Sequence, residues 1–217
     1  MKQSSLVMLT VALLVAVSLN AQELPGGILP PVSFDRSVSL MSAIQLRKST
    51  RDFSTKELSP QDLSNLLWCA DGINRPATGN RTVPSAMNRR SIDVYVILKS
   101  GIYCYIPEHH GLRTIKTGDY RRLAGTQAFV ANAPLNLLYV ADLNRLDFTK
   151  DEGDKLSLAS VEAGHCSENV YLYAATAQMG AVVRAYVDRT ALNKLLKLTP
   201  AQRIIVAQTV GYPLQKE

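Results

Sequence analysis

Residues 154–179 carry the longest helical pattern in the chain, and Gly180 stops it. Its polar residues Glu162, His165, Asn169 and Tyr173 recur at spacings of three and four, which places them on one stripe, read as the wetter face of a core helix. Strand patterns flank this helix in no regular alternation. Ile92, Val94, Val96 and Leu98 alternate on one face, Lys99-Ser100-Gly101 turns the chain back into Ile102–Ile106, and Gly111–Lys116 adds a third short strand. Leu135–Val140 is a continuous apolar run that predicts a buried strand. Ala181–Val187 and Arg203–Val210 are the last two. Helices and strands mixed in this way predict an α+β fold rather than a doubly wound sheet.

Shorter helices fill the gaps. Ser39–Leu46 fits a short helix. Ser59-Pro60-Gln61-Asp62 is a helix start with a Ser cap, Pro at the first helical position and Asp in the first turn, and Gly72 ends that helix. Asp119 caps a helical stretch through Leu123, with Thr126–Asn132 beyond it. Asp188 caps a helix to Leu196. Residues 73–91 read as a long polar, basic loop, and a loop of that length without structure of its own is usually functional or disordered.

The 217 residues suit one domain. Lys2 followed by an apolar run from Leu6 to Leu19 reads as a Sec-type signal peptide over residues 1–21, cut after Ala21. The run is shorter than the roughly 20 residues a membrane span needs, so no stable membrane insertion is expected after cleavage. Residues 22–37 form a Pro/Gly-rich lead-in and 38–217 the domain. The expected location is secreted or periplasmic. Net charge is +6, which attracts anions, but no block of five like charges exists, which argues against a nucleic-acid partner. Cys69, Cys104 and Cys166 leave at least one thiol free and sit in apolar surroundings that read as structural. No CxxC spacing exists and His109-His110 is a poor metal pair, so no metal site is expected.

Arg47-Lys48-Ser49-Thr50-Arg51-Asp52-Phe53 packs three cations and two hydroxyls into a few residues. Phosphate oxygens prefer guanidinium and short hydroxyl donors. In an extended segment Arg47, Ser49 and Arg51 point to one side and Lys48 points away. An exposed basic turn would read the same way.

Together with Pro84-Ser85-Ala86-Met87-Asn88, the long helix from Gly164 to Ala175, Met179-Gly180-Ala181 and the closing Gly211-Tyr212-Pro213, this segment resembles the nitroreductase family over roughly residues 38–216. Gly101-Ile102-Tyr103-Cys104-Tyr105, His110-Gly111-Leu112, Gly118-Asp119-Tyr120-Arg121, Gln127 and Ala133-Pro134 are similar to the branch related to azoline dehydrogenases, which oxidise thiazoline and oxazoline rings in modified peptides.

The resemblance implies a nitroreductase-like fold: a central mixed or antiparallel sheet flanked by helices, in an entwined homodimer that binds FMN at the subunit interface. It implies a cofactor-binding set of Arg47, Lys48, Ser49, Arg51, Pro84, Ser85, Asn88, Gly180, Ala181 and Lys216. Within it Arg47, Ser49 and Lys216 hold the phosphate, and Arg51 faces the ribityl chain or the pyrimidine edge. Pro84, Ser85 and Asn88 line the isoalloxazine from the partner subunit, with Arg89 or Arg90 as a further cation. Gly180 and Ala181 offer backbone donors. The implied activity is hydride transfer through flavin N5 to or from a small organic substrate of nitro, quinone or azoline type. NAD(P)H is one electron donor, and no protein acid or base is identified as catalytic. A flavin-binding or sequestering protein without turnover is the alternative. Tyr103, Tyr105 and His110 read either as the substrate side or as hairpin packing.

Overall fold

A computed structural model describes residues 26–34 and 38–214. The signal-peptide segment and Lys216 lie outside the described residues.

Helix α1 (Leu40–Leu46) is capped by the Ser39 hydroxyl, and α2 (Pro60–Asp71) by the Ser59 hydroxyl, which accepts from Asp62 N at 3.0 Å. Gly72 closes α2 as expected. The next stretch is not the structureless loop that its polarity suggested. Strands β1 (Ile73–Arg75) and β2 (Asn80–Arg81) pair antiparallel, and a 3-10 turn covers Ala86–Asn88. Strands β3 (Ile92–Ile97), β4 (Gly101–Ile106) and β5 (Gly111–Thr117) form a meander. A 3-10 turn at Arg121–Ala124 and helix α3 (Ala128–Asn132) lead into β6 (Leu135–Asp142). Helix α4 (Glu152–Thr176), β7 (Gly180–Arg184), α5 (Arg189–Leu196) and β8 (Gln202–Gly211) complete the order.

The six long strands make one sheet in the order β5-β4-β3-β6-β8-β7, with every neighbour antiparallel. Helices α2 and α4 cover one face, where Leu66, Leu67, Ala163 and Cys166 meet Val94, Val96, Leu137 and Tyr139. Helices α3 and α5 cover the other, where Val130 and Leu192 meet Ile97, Leu138 and Val140. This explains the largely apolar run of β6: alternate side chains enter two different cores, and the one polar residue of Leu135–Val140, Asn136, is buried with its amide donating to Val130 O at 2.9 Å and its oxygen accepting from Arg184 Nη2 at 2.8 Å. The class is α+β as read.

Helix α4 begins at Glu152 rather than Asp154, because Asp151 caps it, accepting from Asp154 N at 2.8 Å. It ends at Thr176, before the left-handed Gln178. The polar stripe on α4 is not its wet face. Glu162 is buried at 4% exposure, Asn169 donates to Cys69 O at 3.0 Å and Tyr173 donates to Asp62 Oδ1 at 3.2 Å. Of the four only His165 faces solvent.

Candidate active site

The segment after α1 is extended and adds itself to the β7 edge of the sheet. Ser49 pairs parallel with Ala181, and Thr50 N donates to Ala181 O at 2.9 Å. Phe53 pairs with Pro213 and is buried against Val182, Ala133 and Phe129. Leu214 N donates back to Asp52 O at 3.1 Å. Two motifs far apart in sequence, Arg47–Arg51 and Gly180–Ala181, are therefore neighbours. Gly180 is required for that closeness: a Cβ there would lie 2.6 Å from Thr50 Cβ.

Tyr171 on α4 organises the phosphate candidates. Its hydroxyl accepts from Val183 N at 2.8 Å and lies 3.0 Å from Ser49 Oγ. With one lone pair engaged by Val183, the phenol keeps its proton and a second lone pair, so its bond to Ser49 runs in either direction; when the phenol donates, the serine proton is available to an anion. The Arg47 guanidinium stands 5.4 Å over the Tyr171 ring and 4.0 Å from Glu168. That ion pair is long and half-exposed, a kind that contributes little, so Arg47 is only loosely engaged. Arg51 is exposed. Lys48 is exposed and takes the opposite side of the segment from Arg47, Ser49 and Arg51. On that side, with Leu46 and Thr50, it lines a cavity of 270 Å³ together with Gln178, Met179 and Pro213.

The second loop is pinned elsewhere. Ser85 Oγ donates to Glu162 Oε2 at 3.0 Å and accepts from Arg90 N at 2.6 Å, and Ser91 Oγ donates to the same oxygen at 2.7 Å. The Ser85 hydroxyl is thus a brace, with its donor and an acceptor both engaged. Asn88 donates to Asn80 Oδ1 at 3.1 Å, and Pro84 is exposed. Met87, Asn88 and Arg90 have φ of 49°, 56° and 51°. Left-handed backbone of this kind costs on the order of 1 kcal/mol or more per non-glycine residue and collects at functional sites. It holds Met87 outward at 69% exposure.

Both motifs rest on α4, one through Tyr171 and the other through Glu162. The nine positions that separate Glu162 from Tyr171 amount to about 13 Å along the helix axis, so a single protomer does not bring the two motifs into contact with one another. Sequence reasoning missed Tyr171 and Glu162 as organising residues. Tyr171 lay inside the recognised helix motif, but nothing local marks which of its residues meets Ser49.

Tyr103, Tyr105 and His110 are packing residues. Tyr103 is fully buried, and His110 holds Tyr105 OH at 2.8 Å through Nδ1 and Ser64 Oγ at 2.8 Å through Nε2. Burial lowers the His110 pKa. Burial also pushes the Cys69 thiol up to about 12 and Cys104 to about 11, so neither is a ready nucleophile. Among the described residues no group of three or more His, Cys, Asp or Glu is placed to hold a metal, and no helix is long and apolar enough to cross a membrane.

The Nitroreductase family profile matches residues 44–212. The chain belongs to the nitroreductase family. It is accordingly an FMN-dependent oxidoreductase of nitroreductase type. A candidate nitroreductase of Methanocaldococcus jannaschii is 32% identical over 173 residues, covering 74% of this chain and 85% of the relative. The crystal structure of a candidate nitroreductase from Ralstonia eutropha JMP134 is 39% identical with a TM-score of 0.81, over 87% of this chain and 90% of that one. A chain of the Escherichia coli microcin synthetase complex, solved with a truncated pro-microcin bound, shares the fold at 19% identity and a TM-score of 0.69, over 97% of this nitroreductase and 85% of that chain.

Proposed function

We propose that this nitroreductase acts outside the cytoplasm as a homodimer, on a small organic substrate of nitro, quinone or azoline type, with FMN held between Arg47–Arg51 and Gly180–Ala181. The observation that carries the cofactor site is the parallel pairing of Ser49 with Ala181. It sets the Ser49 hydroxyl and a loosely engaged guanidinium beside the backbone of β7. That donor set suits a dianionic phosphate. When bound, FMN supplies hydride transfer at N5. Arg47 and Ser49 bind the phosphate, joined by Lys216. Arg51 places positive charge near the ribityl chain or pyrimidine edge, and Gly180 and Ala181 offer backbone donors. Pro84, Ser85 and Asn88 line the ring from the partner subunit, which accounts for their separation from the phosphate segment within one protomer.

Dimerisation is supported by α1, which leaves Leu40, Met41, Ile44 and Leu46 exposed while packing on α4, itself exposing Val161 beside Gly164. Apolar surface continuous over two helices marks an interaction face. Export rests on Lys2 and the apolar run from Leu6 to Leu19. Outside the cytoplasm NAD(P)H is scarce. The azoline type, favoured by the middle segments and by the microcin-synthetase fold likeness, uses another acceptor to reoxidise the flavin.

The test is titration of purified protein with FMN, followed by reduction with NAD(P)H or a thiol and reoxidation by acceptors of each class. Turnover with a nitro, quinone or azoline compound supports the reading. Flavin uptake without turnover favours a sequestering protein instead. Arg47→Ala is expected to weaken FMN binding about tenfold, the worth of one charge-assisted contact. Unchanged affinity would remove Arg47 from the phosphate site.

A further inference from the structure

Tyr171 and Ala181 hold the phosphate segment in its middle, but its far end is held by one short stretch of chain. Ser54 N donates to Tyr212 O at 2.9 Å, Leu214 N donates to Asp52 O at 3.1 Å, and Phe53 pairs with Pro213 between them. Tyr212–Leu214 is the closing turn after β8. What fixes that turn therefore fixes the end of the segment.

The turn is anchored by a carboxylate from a distant part of the fold. The Tyr212 hydroxyl donates to Asp62 Oδ2 at 2.7 Å. Asp62 lies in the first turn of α2, where it takes part in the cap: Ser59 Oγ donates to the same oxygen at 2.7 Å and accepts from Asp62 N at 3.0 Å. Capping does not need a phenol, yet Tyr173 of α4 also donates, to Asp62 Oδ1 at 3.2 Å. One carboxylate thus gathers two phenols from 111 and 150 positions away. Hydrogen bonds to an ionised acceptor are roughly twice as strong as neutral ones. Burial and the Asp62 carboxylate push the Tyr212 phenol up to about 12, so it remains a donor at neutral pH. Lys56 Nζ stands 4.3 Å over the Tyr212 ring, so the side chain that carries the turn is engaged on its face as well as at its tip.

We propose that Asp62 is a positioning residue for the cofactor: through Tyr212 it fixes the closing turn, and the turn fixes the end of the segment from which Arg47, Ser49 and Arg51 meet FMN. The role rests on FMN occupying the site at Arg47–Arg51.

The experiment compares the full chain with its Asp62→Asn, Tyr212→Phe and Tyr173→Phe variants in two measurements. The first, without flavin, is amide hydrogen exchange at Ser54 and Leu214. The second is titration with FMN and, separately, with riboflavin, which lacks the phosphate. Tyr173→Phe and Tyr212→Phe each remove one phenol from the same carboxylate, so a purely stabilising role would move both alike. In Asp62→Asn and Tyr212→Phe, exchange at the two amides should be about tenfold faster and FMN should bind about fivefold more weakly. Riboflavin affinity in these variants, and both readouts in Tyr173→Phe, should stay within about twofold of the wild type. If Asp62→Asn does not fold, Tyr212→Phe decides the matter. Where the wild type binds FMN, the proposal is overturned by unchanged exchange, by unchanged FMN affinity, by riboflavin weakened as much as FMN, or by Tyr173→Phe behaving as Tyr212→Phe does. A wild type that takes up no FMN overturns the flavin site and this role with it.

Discussion

Replacing Gly180 by alanine tests the arrangement of the proposed phosphate site with one methyl group. The added Cβ would sit 2.6 Å from Thr50 Cβ and 2.7 Å from Thr50 Cγ2. Neither atom is the far end of a flexible chain, so the Ser49–Ala181 pairing itself must part. Overpacking of this kind costs typically about 1–3 kcal/mol. For a domain of this size that lowers Tm by about 2–4 °C per kcal/mol. The strain falls on the segment carrying Ser49 and Arg47. If that segment relaxes by moving off β7, FMN affinity drops about tenfold for each 1.4 kcal/mol lost. Two readouts follow: the melting temperature without added flavin, and quenching of flavin fluorescence on titration. Adding Thr50→Gly removes both offending atoms, so the double variant should recover affinity relative to Gly180→Ala, and the coupling energy reports the contact directly. If Gly180→Ala melts with the wild type and binds FMN within about twofold, the close approach has no role in holding the phosphate segment.

Other expectations follow from the same geometry. Tyr171→Phe removes the partner of Ser49 Oγ and the acceptor of Val183 N, and should weaken FMN binding about two- to tenfold; an unchanged dissociation constant would separate Ser49 from the site. Glu162→Ala strands the Ser85 and Ser91 hydroxyls and should cost about 1–3 kcal/mol in urea denaturation, with faster tryptic cleavage at Arg89 and Arg90; equal midpoints and equal cleavage would show that the loop holds itself. His110 has a folded pKa below its ordinary 6.5, so the unfolded chain binds its proton first as pH falls. Its contribution is full above 6.5 and declines from there down through the folded value. Melting profiles of wild type and His110→Asn should therefore converge as pH drops below 6.5, and profiles that stay parallel would refute this linkage.

Much of the fold was legible because its signals are local. The Ser59 and Asp188 caps, the alternation of β3 and the largely apolar β6 run each encode a hydrogen bond or a burial pattern within a few residues. The segment 73–91 was misread for the same reason. Its polar composition resembles a loop, while its order comes from distant partners, Glu162 for Ser85 and Asp71 for Arg81. The α4 stripe was misread likewise: spacing places Glu162, Asn169 and Tyr173 on one face but does not say that α2 and the second loop cover it.

By itself the sequence determined most of the element types, the α+β class and the family motifs. Tertiary structure decided which residues meet. Ser49 and Tyr171 are 122 positions apart, and Ser85 and Glu162 are 77 apart. Those contacts depend on β7 taking the edge of the sheet and offering Ala181 to the extended segment after α1. No periodicity within either segment carries that information. The pairing gathered Arg47 and Ser49 at Tyr171, while the anchors Tyr171 and Glu162 set the two motifs apart along α4.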